Sequence, residues 1–344
     1  MKLKALLLGS AAAMIAVTGA NAADAVVAEP EPVEYVRVCD MYGNGYFYIP
    51  GTETCMRISG LVRSTYSYDS ANVAAANNFS VNAATGAIVN NPTAARGSTG
   101  SWGYRGRLNI QTANESDYGP ITSYLRLQGD GNGGSDANVG IDRATIGIGG
   151  LRIGYTDQYW TTNVGYGAPG AIADASQYDQ ALVMDYTYSA NGFSATIGMQ
   201  DELGTTAGAE NPDFYAGFNY SSDMYTVAAT FGYDSIAKAS AGNAMLQLNV
   251  IDGLTLKGIY NHNFNRGTAN HFIATNYQWV VGVNYQATDE INVYANYSDT
   301  NVANAAVTTV GMNYAFAPGV RVQAEGSFRE NNTSVYRVRV QRTF

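Results

Sequence analysis

Eleven arginines fall at alternating positions within short segments: Arg57, Arg63, Arg105, Arg107, Arg126, Arg143 and Arg152 in the first half of the chain, and Arg321, Arg329, Arg337 and Arg339 near its end. A guanidinium stays charged throughout the physiological pH range and only donates hydrogen bonds, so such a set provides an electrostatic surface and not proton transfer. The matching counter-charges are Asp174 and Asp179 in a Gly- and aromatic-rich stretch, Trp160 to Ala181, with Asp157 before it and Asp185 after it. Opposed charges across a narrow wet gap create a transverse field that orients dipolar solutes and sets ion preference. Covalent chemistry finds little support. His262 and His271 are the only histidines, nine residues apart near one loop, a pattern more often structural than catalytic. Asp130 to Asp136, DGNGGSD, has the opening of a calcium loop without its glutamate twelve positions along, and reads as a solvated loop. Gly-x-Gly pairs such as Gly147 and Gly149 precede no helix, so no dinucleotide, cofactor or metal site is expected.

The elements that must position these side chains are strands. From Met56 onward, segments of about ten residues alternate with period two. Tyr104, Gly106, Leu108 and Ile110 alternate with Arg105, Arg107, Asn109 and Gln111, and Tyr336, Val338, Val340 and Phe344 oppose Arg337, Arg339 and Gln341. A soluble sandwich alternates as well, and three features separate the two. The polar face carries Arg, Asn and Gln in mid-segment, which suits a wet lumen. Tyr, Trp and Phe gather near segment ends, where interfacial girdles belong. Tight turns such as Gly149-Gly150, Asn191-Gly192 and Asp252-Gly253 alternate with long polar loops.

The count is sixteen segments, from 57–68 to 334–344, with the tenth near 244–251. Residues 56–344 number 289, or about 18 per strand, which leaves ~10 for crossing a membrane and the rest for connections. The expected fold is all-β: a sixteen-stranded antiparallel transmembrane β-barrel, wide enough to leave an aqueous channel. Composition agrees. Of 344 residues only 14% are charged, against ~25% in soluble domains, while Gly numbers 38 and Tyr 26. After residue 20 no stretch of ~20 apolar residues could span a bilayer as a helix, and the mean hydropathy is −0.14. Aromatic content of 12% disfavours disorder, and a pI near 4.7 argues against a nucleic-acid partner.

Three domains are expected. Residues 1–22 read as a secretory signal peptide, with Lys2 and Lys4, an apolar Ala5 to Val17 and a small-residue Ala20-Asn21-Ala22 cleavage site. Residues 23–55 form a periplasmic spacer, opening with the acidic, Pro-containing tether DAVVAEPEPVE and ending in a Cys-bridged segment. Cys39 and Cys55 are the only cysteines and in an oxidising compartment can pair only with each other within the chain. Residues 56–344 are the pore domain.

The segment Val33 to Arg63, VEYVRVCDMYGNGYFYIPGTETCMRISGLVR, resembles the N-terminal signature of the alphaproteobacterial outer-membrane porins of Brucella, Rhizobium and relatives. The resemblance implies a homotrimeric channel, not an enzyme, set among the lipid and lipopolysaccharide of the bacterial outer membrane and passing small hydrophilic solutes and ions. It also implies a third external loop folded into the lumen, a terminal Phe344 read by the barrel assembly machinery, and an Ala23 end that could be joined to peptidoglycan. Placing apolar residues outward puts Arg57, Arg63, Arg105, Arg107, Arg126, Arg143 and Arg152 on the lumen side of strands one to five, and Arg321, Arg329, Arg337 and Arg339 on that of strands fifteen and sixteen. Barrel closure makes them one arc. The opposite wall offers only Lys257. With Asp174 and Asp179 facing it, the arc would form a constriction; the competing reading pairs arginines with neighbouring carboxylates such as Glu325 and makes them wall stiffeners. Two other functions stay open, a plugged structural anchor and a solute-specific channel, for saccharides for example.

Overall fold

The computed structural model describes residues 37–70, 77–81, 88–92, 99–132, 138–165, 167, 171, 179–201, 211–268 and 270–344. The expected signal peptide, Ala23 and Asp174 lie outside them. One compact unit runs from Val38 to Phe344.

Sixteen strands form a meander in which each pairs antiparallel with the next: β1 (Cys55–Ser70), β2 (Thr99–Asn114), β3 (Ile121–Asn132), β4 (Val139–Ile148), β5 (Leu151–Asp157), β6 (Gln180–Ala190), β7 (Phe193–Asp201) and β8 (Asp213–Ser221). They continue as β9 (Tyr225–Asp234), β10 (Ala239–Ile251), β11 (Leu254–Asn263), β12 (Tyr277–Gln286), β13 (Ile291–Thr300), β14 (Val307–Ala317), β15 (Val320–Arg329) and β16 (Ser334–Thr343). β16 pairs with β1 from Ser334 opposite Ser70 to Thr343 opposite Leu61, so the sheet closes and leaves no edge. Gly60 and Phe344 extend the closure by exchanging backbone hydrogen bonds of 2.8 and 3.1 Å.

The outer face is apolar and exposed along its height, as at Val62, Ile146, Ile197, Val281 and Val338. At the short-turn rim it carries exposed Tyr188, Tyr225, Tyr285 and Phe316, and at the long-loop rim Trp102, Phe214, Phe231 and Tyr336. An apolar belt between two aromatic girdles is what a bilayer selects.

Several elements differ from the sequence reading, and the fifth strand, read as 151–159, ends at Asp157 because Tyr159 opens a helix. β10 begins at Ala239 instead of 244, because its small residues fill the space left by large neighbours: Ser240 opposes Tyr233 and Gly242 opposes Phe231. Such a run looks like loop when read alone. The first long loop holds a hairpin, Asn77–Val81 against Ile88–Pro92.

Cys39 and Cys55 form a disulfide with Cα atoms 6.0 Å apart. It closes a lobe at the short-turn rim, where Val38 bridges Phe47 and Phe47–Tyr48 pairs with the start of β1. Both cysteines are buried. Closing a loop of this length contributes about 3 kcal/mol in chain-entropy terms, large for a lobe with so little core. Intact protein is therefore expected to take up no alkylating label without reductant, and the Cys39→Ser, Cys55→Ser double variant to lose amide-exchange protection over residues 39–55. Labelling of both native cysteines would contradict the bridge in solution.

Candidate functional site

The register sets every arginine of the arc on the inner face. Arg63 stands directly opposite Arg105 across β1 and β2, Arg57 opposite Gln111, and Arg107 opposite Gln128 on β3. Closure brings Arg339 of β16 opposite Thr65 of β1. Charges fixed at opposed ladder positions interact within about 5 Å of Cβ separation, so register alone decides which are paired.

The arc divides into two kinds of side chain. Three ion pairs join residues directly opposite in the ladder: Arg105 with Asp130, Arg152 with Asp185, and Arg337 with Glu325 at 3.1 Å. Arg152 is bidentate, its Nε 3.1 Å from Asp185 Oδ1 and its Nη2 2.5 Å from Oδ2, and Tyr215 Oη donates to the same carboxylate at 2.7 Å. A planar fork on a buried carboxylate is the stronger form of such a pair. Arg126 meets Asp142 at 3.4 Å, and Arg143 pairs with Asp157. Three others rely on neutral partners. Arg57 Nε donates to Gln111 at 2.7 Å, Arg107 Nε to Gln128 at 2.8 Å, and Arg339 Nε to Thr65 at 3.0 Å. Among the described residues, Arg57, Arg63, Arg107 and Arg339 form no ion pair, and Arg63, Arg105, Arg107 and Arg339 cluster where β16, β1 and β2 meet.

Across the interior lies helix α1 (Tyr159–Val164), the start of the loop between β5 and β6. Six residues make a weak helix alone. Its stability comes from its seat on the inner faces of β8 to β12. Val164 is buried with Ala228, Met245, Ile259 and Val280, and Trp160 with Ala241, Phe272 and Ile273. Trp160 and Phe272 hold their rings 5.4 Å apart, and Tyr159 stacks on Tyr215 at 5.5 Å. Asn163 Nδ2 donates to Ala229 O at 3.0 Å and Thr230 Oγ1 at 2.9 Å, while Asn243 Nδ2 donates to Trp160 O at 2.9 Å. A side chain at Gly217 would put its Cβ 2.7 Å from the Tyr159 ring, and one at Gly232 would put it 2.7 Å from Phe272, so both inner-face glycines make room for the loops. The helix ends at Gly165, whose φ of +76° favours glycine and whose N–H reaches Thr161 O at 2.7 Å.

Of the acids that the spacing singled out, Asp179 is exposed at the start of β6, its Oδ1 accepting the Gln180 N–H at 2.8 Å. Asp157 and Asp185 belong to the wall as partners of Arg143 and Arg152. Asp130 and Asp142 are partners that sequence reasoning missed. Asp130 was readable, since it continues the alternation of Arg126 and Gln128; Asp142 was not, because the ladder shifts by one residue beside it. The histidines are engaged in packing. His262 lies between Tyr260 and Phe264, ring centroids 6.0 and 5.1 Å away. His271, in the loop after β11, meets Gln158 through its side chain and Asp234 Oδ2 through its N–H at 2.8 Å. Burial pushes its pKa below the ordinary histidine value, against the pull of the Asp179 carboxylate.

The disulfide lobe reaches the same wall. The Arg57 guanidinium lies over the Tyr46 ring, 5.0 Å from its centroid, and Tyr42 Oη donates to Glu115 at 2.9 Å, so the lobe covers the short-turn end of the arc.

A family model described as "Porin subfamily" matches residues 24–342. "Porin Omp2b" of Brucella suis biovar 1 is 34% identical over 367 residues, covering 95% of this chain and 92% of that protein, and the Brucella abortus protein of the same name matches equally. Among solved structures, a triple mutant of Rhodopseudomonas blastica porin superposes with a TM-score of 0.59 at 18% identity, covering 84% of this chain and all of the other. A structure titled "Asymmetric conductivity of engineered proteins" gives 0.59 at 20% identity with the same coverage. The barrel's closure, its girdles, and a match that runs almost from end to end of the Brucella proteins lead to one assignment: this chain belongs to the porin subfamily of bacterial outer-membrane channels.

Proposed function

We propose that passage through this porin is governed by a constriction between the cationic wall of β16, β1 and β2 and the loop that begins with α1, in a homotrimer that conducts small hydrophilic solutes and ions without catalysis. The observation that carries the reading is the division of the arc. Arginines held by carboxylates contribute little net field, whereas Arg63, Arg107 and Arg339 cluster without an ion pair of their own, and the nearby Asp130, Asp142 and Glu325 are each paired with another arginine. The seat of α1 gives the facing surface its place, and the loop continues from it through Asp174 to Asp179.

The test is planar-bilayer recording. Purified protein is expected to give steady open steps, opening in groups of three for a homotrimer; a plugged anchor would give none. The Asp174→Asn, Asp179→Asn double variant is expected to pass cations less readily relative to anions, since each lost charge changes the local potential at short range. Reversal potentials under a salt gradient read the change, and an unaltered value would put both residues outside the constriction.

A further inference from the structure

At the β3 to β5 end of the arc, between α1 and the short-turn ends of β3 to β8, lies an open cavity of about 730 Å³ whose chemistry is different. Its wall is a field of neutral hydrogen-bonding groups: Thr145, Thr187, Ser189, Ser194, Thr196 and Asn219. The roof is α1, which presents Tyr159, Thr162 and Asn163. Arg152 and Asp185 are the only charged residues lining it, and they neutralise each other in the bidentate pair already described. The Arg152 side chain is still 36% exposed, so part of its five-donor fork faces the cavity. Backbone at Gly147, Gly149 and Gly150 completes the floor, and Leu151 is its sole aliphatic side chain.

We propose that this cavity is a binding subsite for a neutral, polyhydroxylated solute of about mono- to trisaccharide size, on the short-turn side of the loop that carries α1. Three observations point to that class. The volume falls within the ~300 to 1,000 Å³ usual for small-molecule sites. Threonine and serine hydroxyls both donate and accept, which matches a ligand whose every group does the same; an apolar solute would leave them unpaired. A cation would be opposed by the exposed part of Arg152, and an anion would meet a guanidinium whose charge the buried Asp185 already balances. The third observation is a pair of hydroxyls on the wall. Thr187 Oγ1 and Thr196 Oγ1, 2.8 Å apart, satisfy one bond between them and keep acceptor positions free.

The subsite deepens the channel reading and rests on it. The experiment uses the full-length protein in planar bilayers with maltotriose as the probe, added to either side in turn. The expected result is concentration-dependent interruption of the open current, with block in the Thr187→Val, Thr196→Val double variant weakened by roughly fivefold or more, the effect of losing about one net hydrogen bond. Ser298→Ala, on the inner face of β13 and away from the cavity, is expected to be blocked like the wild type. Normal open steps with no interruption by the sugar would overturn the subsite and leave the channel reading standing, as would equal block in the valine and wild-type proteins. The absence of open steps would overturn the channel reading and the subsite with it.

Discussion

Replacing Arg63 and Arg339 by glutamine is expected to shift the reversal potential of the open channel toward cation preference. Both side chains belong to the cluster where β16, β1 and β2 meet, and neither is in an ion pair among the described residues, so removing them subtracts positive charge that no carboxylate holds directly. Each contributes on the order of 0.5 kcal/mol to a monovalent ion ~8 Å away at the dielectric of water, so together ~1 kcal/mol before salt screening. That corresponds to roughly a two- to fivefold change in relative permeability, larger at 0.1 M than at 1 M salt, where the Debye length shrinks from ~10 to ~3 Å. The informative control is Arg105→Gln combined with Asp130→Asn, which removes an opposed pair and leaves the net charge unaltered. Its reversal potential is expected to stay near wild type. If the paired control moved selectivity as far as R63Q/R339Q, the division of the arc into balanced and unbalanced arginines would be wrong.

The second large effect is on the loop. Trp160 is only 4% exposed and packs on Phe272 and Ile273, so Trp160→Ala is expected to remove ~3 to 5 kcal/mol of packing, more than two powers of ten in the ratio of docked to undocked loop. No strand pairing passes through Trp160, so the barrel is expected to keep its heat-resistant mobility while the loop between β5 and β6 becomes sensitive to protease and single-channel current becomes noisy. A variant equally resistant to protease would mean that Val164, Tyr159 and the hydrogen bonds hold α1 without Trp160. Folding loss in place of loop release would appear as a missing folded band, so the two are separable.

The barrel was legible because its physics is local. Alternation, turn residues and strand length are short-range properties, and a closed barrel leaves little choice of partner once strands run in order. The sixteen segments read from 57–68 to 334–344 meet the observed strands, and misjudged ends such as Ala239 occur where small residues carry no periodic signal. The site was legible to a lesser depth. Inner-face arginines follow from the same alternation, but their pairing depends on register between strands, which a shift beside Asp142 is enough to move. The seat of α1 was missed, although a signal existed. Ile259-Tyr260 and Val280-Val281 are apolar on both faces, and so are Ala228-Ala229 and Ala244-Met245. In a barrel with lipid on one side and water on the other, a strand apolar on both sides has something dry packed against its inner face. Here that is Val164.

Closure between β1 and β16 has a consequence for the order of events in biogenesis. Ser70 finds its partner in Ser334, 264 residues later, and Gly60 finds its own in Phe344. A ribosome releases the first strand long before it makes the last, and until then any sheet that forms has two open edges that invite pairing with other chains. Contacts so distant in sequence are also slow to form, because loop-closure entropy precedes any gain from pairing. The exported chain has to be held unpaired until β16 arrives, and truncation anywhere before 334 yields a sheet with permanently unpaired edges.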